Sequence, residues 1–267
     1  MSDKVIAHPS AACCISGSIH KGDPKGRIEK IQDVETYIAE PAADKANGNV
    51  VLYFPDVFGL FVNGKLMMDG WAEAGYLVLG PDYFNGDAIW KHKKDLSDPN
   101  DNPGFDFPAW LAKHQKFSDP FIPKWVEDVK AKYGKSDTKF LCTGYCYGAP
   151  YVCDQLSEKG VCSAGAFAHP AFLNEAHFEN ITKPLFLSCS EIDQTFPKDL
   201  RRRAIDILDQ GKKIYEVQLF AKVSHGFALR ADLNDPWQKY TKEASFAGIL
   251  GWFDWWSKHD SWYQPKL

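Results

Sequence analysis

No stretch of this 267-residue chain is apolar for long enough to span a membrane, because a spanning helix needs about 20 consecutive apolar residues. The opening Met1-Ser2-Asp3-Lys4-Val5-Ile6-Ala7-His8-Pro9 also lacks the apolar segment of a secretory signal. A cytoplasmic protein is therefore expected. Positive charge is not in excess either: 31 Lys and Arg stand against 35 Asp and Glu, a net charge of -4, and the one basic cluster is Arg201-Arg202-Arg203. Neither nucleic acid nor a membrane is expected as a partner. Cysteine is sparse, odd in number at 7, and nowhere spaced C-x-x-C. That argues against a disulfide scaffold and a structural zinc site, and for free thiols in a reducing compartment. Repeats, low-complexity tracts and linkers are missing too, so a single domain over 1–267 is expected.

What is present is a regular alternation. The continuous apolar run Val50-Val51-Leu52-Tyr53-Phe54 is the mark of a strand buried on both faces. Leu66, Met67, Gly70, Trp71 and Ala74 follow at helical spacing, and then Tyr76-Leu77-Val78-Leu79 reads as a strand. Further apolar runs at 140–145, 162–168, 185–189 and 214–220 have helical patterns between the later ones, and the last helix is expected from Pro236 to Lys258 with its tryptophans in the core. Such alternation implies a mostly parallel central sheet with helices on both faces. Ahead of it, Ile28, Ile31, Val34, Tyr37 and Ile38 flank Gln32-Asp33 as an antiparallel hairpin at the sheet edge. Residues 1–25 read as a mostly irregular arm laid on the domain. Residues 81–123 are rich in turn residues and aromatics and read either as a partial lid over a pocket or as an aromatic-packed surface loop, with a helix from Trp125 to Tyr133 after them. The arginines at 201–203 read as a solvated helix face.

The chemistry centres on Gly144-Tyr145-Cys146-Tyr147-Gly148, which stands between an apolar run and the helical pattern Ala149, Val152, Cys153, Leu156. Glycines two residues either side of a nucleophile are what a tight strand-to-helix elbow requires. An α/β-hydrolase fold orders its residues as nucleophile, acid and histidine, each at a strand end. Asp193 and His225 fall in those slots, 47 residues after Cys146 and then 32 further on. The imidazole would take and return the thiol proton, and the carboxylate would fix its tautomer. Glu191 competes for the acid role and His169 for the base, although His169 precedes the acid; it can instead line the pocket. A glycine-rich turn holding an inert buried cysteine is the alternative to the elbow.

G-Y-C-Y-G, the E-x-D after one strand and H-G-F after the next resemble the dienelactone hydrolase family from about Gly26 to the C-terminal helix, and the Cys13-Cys14 arm with Phe54-Pro55-Asp56-Val57-Phe58-Gly59 resembles its fungal-type branch. The resemblance implies an α/β-hydrolase that opens an enol-lactone through an acyl-enzyme, with no metal or organic cofactor. By motif position it places the oxyanion hole at the backbone N–H groups of Val57 and Tyr147. Asp56 stands where bacterial members have a glutamate beside the resting thiol, and is expected to gate it. Those members hold a substrate carboxylate with arginines; here the Pro81 loop has none, and Arg230 lies one residue beyond the family's position. The expected partner is a small lactone or ester, and the expected state is a monomer or homodimer. A non-catalytic ligand-binding or redox-responsive thiol protein, and a hydrolase of thioesters or carbohydrates, are the competing readings.

Overall fold

Apolar runs that are buried on both sides belong in the middle of a sheet. In the computed structural model, which describes residues 3–10, 12–95, 98 and 101–259, the elements in chain order are β1 (Val5–Ala7), β2 (Arg27–Ile31), β3 (Val34–Ala39), β4 (Val50–Phe54), α1 (Val62–Glu73), β5 (Leu77–Pro81), α2 (Phe107–Tyr133), β6 (Phe140–Tyr145), α3 (Ala149–Gln155), β7 (Ala164–Ala168), β8 (Leu173–Asn174), α4 (Glu175–Glu179), β9 (Leu185–Ile192), α5 (Lys198–Gln210), β10 (Tyr215–Ser224), α6 (Phe227–Arg230) and α7 (Pro236–Trp256). Residues 1–2 and 11 of the expected arm, 96–97 and 99–100 of the aromatic connection, residues 260–267 and the Cys13 side chain lie outside the described residues. Among the described residues no helix is long and apolar enough to cross a membrane.

Eight strands form one sheet in the order β2-β3-β5-β4-β6-β7-β9-β10, and the three entirely buried runs β4, β6 and β7 lie side by side in it. The hairpin strands β2 and β3 are antiparallel to each other, and β3 is antiparallel to β5; every other pair is parallel. The expected α/β-hydrolase architecture is therefore what the chain adopts. Gln32 and Asp33 both take positive φ, 55° and 60°, the backbone twist that a two-residue hairpin turn demands. Side-chain alternation splits the core into two layers. Val50, Leu52 and Phe54 pack with residues of α2, α3 and α5 on one face, while Val51 and Tyr53 pack with α1 and α7 on the other.

Three segments differ from the sequence reading, each for a physical reason. Helix α2 begins at Phe107, well before Trp125, and runs through Pro120 and Pro123. Each internal proline removes a helical hydrogen bond, yet Trp110, Leu111, Phe121 and Ile122 are buried along it, and that burial outweighs the prolines. Arg201 is buried and donates through Nη1 to the Ser190 carbonyl at 3.1 Å, while Arg203 Nε bonds Glu175 at 2.7 Å; of the three arginines only Arg202 is exposed. In α7, Ile249, Phe253 and Trp256 are buried, but Trp237 and Trp255 face solvent. The described part of the N-terminal arm is mostly irregular, as expected, and is anchored where β1 pairs antiparallel with β8; a short 3-10 turn, Ala12–Ile15, follows.

Glycine marks the closest approaches. A Cβ on Gly148 would lie 2.2 Å from the Phe54 carbonyl oxygen, whereas one on Gly251, exposed on α7, would meet nothing within 4 Å. Gly148→Ala is expected to cost at least the upper end of the ~1–3 kcal/mol typical of overpacking. Gly251→Ala should stabilise by about 0.5–1 kcal/mol through helix propensity. Urea denaturation of the two variants measures both, and equal midpoints would contradict this account of the elbow.

Candidate active site

The parallel strands set their C-terminal ends at one edge of the sheet, where an open α/β sheet holds its ligand crevice. At the end of β6 the chain turns through a 3-10 segment, Cys146–Gly148, into α3. Cys146 has φ 49°, a left-handed conformation that side chains seldom adopt and that clusters at functional sites. The turn closes because its flanks are glycine: a Cβ on Gly144 would lie 2.6 Å from the Gly148 carbonyl oxygen. The Cys146 carbonyl also accepts from Ala171 N at 3.1 Å, tying the elbow to the loop after β7.

Asp193 follows β9 directly and His225 follows β10 directly, and Ser224 is in register with Ile192 on the neighbouring parallel strand. Their side chains meet: His225 Nδ1 is 3.0 Å from Asp193 Oδ1. Asp193 Oδ1 also accepts from the backbone N–H groups of Thr195 at 2.9 Å and Phe196 at 3.0 Å, and Ser190 Oγ donates to Oδ2 at 3.1 Å. The Thr195 hydroxyl lies 2.8 Å from Asp193 Oδ1 and 3.0 Å from His225 Nδ1. Burial disfavours the charged carboxylate, but the His225 charge and these donors outweigh it and hold Asp193 well below the usual carboxylate range. Burial likewise opposes the imidazolium of His225, and the Cys14 sulfur and Asp193 carboxylate reverse that, raising it well above its ordinary value.

The thiol and the imidazole are each met by a residue of the N-terminal arm. Ser10 Oγ lies 3.4 Å from Cys146 Sγ, and Cys14 Sγ lies 3.4 Å from His225 Nε2. One atom from each of Cys14, Cys146 and His225 lies within 4.8 Å of the others, and all three residues are buried. The arm is fastened on both sides of this contact, by His8 N to the Thr195 carbonyl at 2.7 Å and by Ser18 N to the Arg230 carbonyl at 3.1 Å.

The structure places the remaining candidates as follows. His169 ends β7 at φ 37°, with its backbone N–H on the Ser188 carbonyl. Its ring is fully buried edge-on to His225, centroids 4.8 Å apart, and neither ring nitrogen has a hydrogen-bond partner among the described residues. Burial, and then the His225 charge, keep it neutral. Asp56 and Arg230 come together as a buried ion pair between Oδ2 and Nη1. Asp56 Oδ1 also accepts from Phe58 N at 3.0 Å, and Arg230 Nε donates to the Ser16 carbonyl at 2.9 Å beneath the Phe58 ring. Val57 is buried in the turn after β4, where its carbonyl accepts from Ile89 N at 3.1 Å. Tyr147, directly after the nucleophile position, bonds Ser118 Oγ through its hydroxyl at 2.7 Å. Glu191 is exposed and accepts from Lys222 N at 2.7 Å, and no bond joins it to His225 among the described residues.

Comparison with known proteins identifies the family. The model of the Dienelactone hydrolase family matches residues 34–257. The chain belongs to the dienelactone hydrolase family. It is 45% identical to "Dienlactone hydrolase 1" of Gibberella moniliformis, over 96% of this chain and 97% of that protein. It is 36% identical to "Hydrolase pyvD" of Aspergillus violaceofuscus, over 92% of this chain and 96% of that one. Among solved structures it is similar in fold to a dienelactone hydrolase-like promiscuous phosphotriesterase from metagenomic libraries, with a TM-score of 0.60 at 15% identity over 84% of this chain and 92% of the other. This dienelactone hydrolase family member is thus a hydrolase acting on ester or lactone bonds.

Three residues of this site escaped sequence reasoning. Ser10 and Cys14 sit in a segment without periodicity, and only the Cys13-Cys14 pair marked it. Thr195 lies two residues after the acid, where a backbone N–H donating to an aspartate carboxylate is a common local motif.

The Asp56–Arg230 pair carries a stability prediction. Removing one partner of a buried ion pair leaves a desolvated charge and typically costs about 3–5 kcal/mol. Asp56→Asn and Arg230→Gln should each lose about that much in chemical denaturation. The double variant should lose clearly less than the sum, and additive losses would show that the two side chains are not coupled.

Proposed function

We propose that the protein opens a small lactone or ester through a Cys146-His225-Asp193 triad and an acyl-enzyme on Cys146. The observation that carries this reading is the left-handed cysteine at the end of β6 within 4.8 Å of an imidazole, whose other nitrogen is 3.0 Å from a buried carboxylate. His225 Nε2 takes the thiol proton as Cys146 Sγ attacks the carbonyl carbon. The oxyanion accepts hydrogen bonds from the backbone N–H groups of Val57 and Tyr147. The ring C–O bond then breaks and the leaving oxygen takes the proton from His225. Water, deprotonated by His225, attacks the acyl carbon and releases the acid, returning the thiol. Asp193 fixes the imidazole with its proton on Nδ1 and steadies the imidazolium. In the resting arrangement Cys14 lies against Nε2, so the first step requires that contact to yield to Cys146.

The relatives named "Dienlactone hydrolase" support a lactone substrate, and those named "Carboxymethylenebutenolidase homolog" support one that carries a carboxylate. Arg230 is the anion-holding candidate, and since its guanidinium is held by Asp56, an incoming carboxylate would compete with that side chain. Asp56 then gates the site by exchanging partners. His169, neutral and buried beside His225, lines the pocket and packs edge-on against the imidazole.

Hydrolysis of a panel of lactones and aryl esters tests the triad. Cys146→Ala should abolish turnover. Asp193→Asn should lower kcat by orders of magnitude, about 10⁴ in the serine-protease precedent, with the fold retained. Glu191→Gln should leave kcat near the parent value. Full activity in Cys146→Ala, or a loss on Glu191→Gln in place of Asp193→Asn, would overturn the assignment.

A further inference from the structure

We propose that Cys14, Cys146 and His225 form a binding site for one thiophilic divalent cation of the zinc type, and that the enzyme carrying it is held inactive. Two sulfurs and one imidazole nitrogen, brought from three distant parts of the chain, all lie within 4.8 Å of one another, and the Cys14 Sγ to His225 Nε2 edge is 3.4 Å. A tetrahedral zinc ion with bonds of about 2.3 Å to sulfur and 2.0–2.1 Å to nitrogen sets its ligand atoms roughly 3.5–3.8 Å apart. One edge already has nearly that length, and the others need to close by about 1.3 Å at most. The chemistry of the set is that of a metal site, since two cysteines and a histidine are established zinc ligands that leave a fourth position open. Water fills that position, or the Ser10 hydroxyl, which already lies 3.4 Å from Cys146 Sγ.

The imidazole is also oriented for it. With its Nδ1 proton directed to Asp193 at 3.0 Å, His225 turns Nε2 toward the two sulfurs and offers that lone pair to a metal once Nε2 has released its proton, and a carboxylate behind the ring is the usual support of a metal-bound histidine. Binding consumes the thiolate forms of Cys14 and Cys146 and the neutral form of His225, so any protons those atoms carry pass to solvent as the metal–ligand bonds form. No oxidant or reductant is involved. The metal then holds the Cys146 electron pair and the His225 lone pair together, which leaves neither a nucleophile nor a base. Cys14 turns a two-ligand contact into a three-ligand site, and no C-x-x-C spacing exists to reveal it.

The inhibitory half of this inference rests on the proposed triad, and the coordination half does not, so the experiment reads them separately. The full-length protein, reduced with a phosphine and freed of metal, is titrated with Co²⁺ as a spectroscopic probe and then with Zn²⁺, and hydrolysis is followed in parallel. The expected result is a 1:1 complex with a thiolate-to-cobalt charge-transfer band and the visible bands of a tetrahedral ion, displaced by Zn²⁺. Cys14→Ala should weaken Zn²⁺ binding more than ~100-fold, beyond the ~10–100-fold loss typical of a supporting outer group, and Cys14→Ser should remove one thiolate from the spectrum while conserving volume. Hydrolysis should fall with the same midpoint as Zn²⁺ occupancy. Cobalt binding without the thiolate band, or binding unchanged in both Cys14 variants, overturns the site even if Cys146 proves to be the nucleophile. Thiolate coordination with hydrolysis unaffected overturns the inhibition and tells against Cys146 as the nucleophile.

Discussion

The backbone of one residue constrains the rest of the site. Cys146 must take φ 49° for the chain to pass from β6 into α3, and it can do so only because Gly144 and Gly148 leave no Cβ in the way of the Gly148 and Phe54 carbonyl oxygens. That strain is retained because β4 and β6, both fully buried, pair along their length and fix the strand that enters the turn. The parallel order of β6, β7, β9 and β10 then brings the next strand ends to the same edge. Cys146, His169, Asp193 and His225 all lie at those ends.

Electrostatics completes what the sheet begins. Asp193 is buried yet ionised, because backbone N–H groups, two hydroxyls and the imidazole all point toward it. Its charge sets the tautomer of His225 and makes the Nε2 face the reactive side. On that side the structure offers two sulfurs, Cys146 from the elbow and Cys14 from the arm. One imidazole shared between two thiols links the proposed hydrolysis to the inferred cation site, because whatever fixes Nε2 on Cys14 withholds it from Cys146.

Much of this was legible in the residues. Strands buried on both faces declare themselves as unbroken apolar runs, and in a parallel sheet chain order alone tells which loops share an edge, so Cys146, Asp193 and His225 could be placed before their contacts were seen. What escaped notice did so for identifiable reasons. Prolines at 120 and 123 read as helix breakers, yet α2 keeps both because its aromatic face is buried. Arg201 reads as part of a solvated face when Phe196, Leu200, Ala204 and Leu208 are taken as the inward row, although it stands three and seven residues before the buried Ala204 and Leu208, a spacing that also points inward. Trp255 failed in the opposite sense, lying one residue off the Ile249, Phe253 and Trp256 face. Ser10 and Cys14 had no pattern to follow: they reach Cys146 and His225 across 136 and 211 residues of chain, and only the folded arm brings them there. Asp56 and Arg230 were each singled out from motif position, but their pairing to one another was not.

The central claim is that Cys146, and not its neighbour Cys14, becomes acylated. Rapid acid quench during turnover of an aryl ester, followed by peptide mapping in the mass spectrometer, measures this directly. The account predicts one acyl group on the peptide that contains Cys146, formed before steady state and lost at the rate of turnover. An acyl group confined to Cys14, or full turnover with no acylated cysteine at any time, would contradict it.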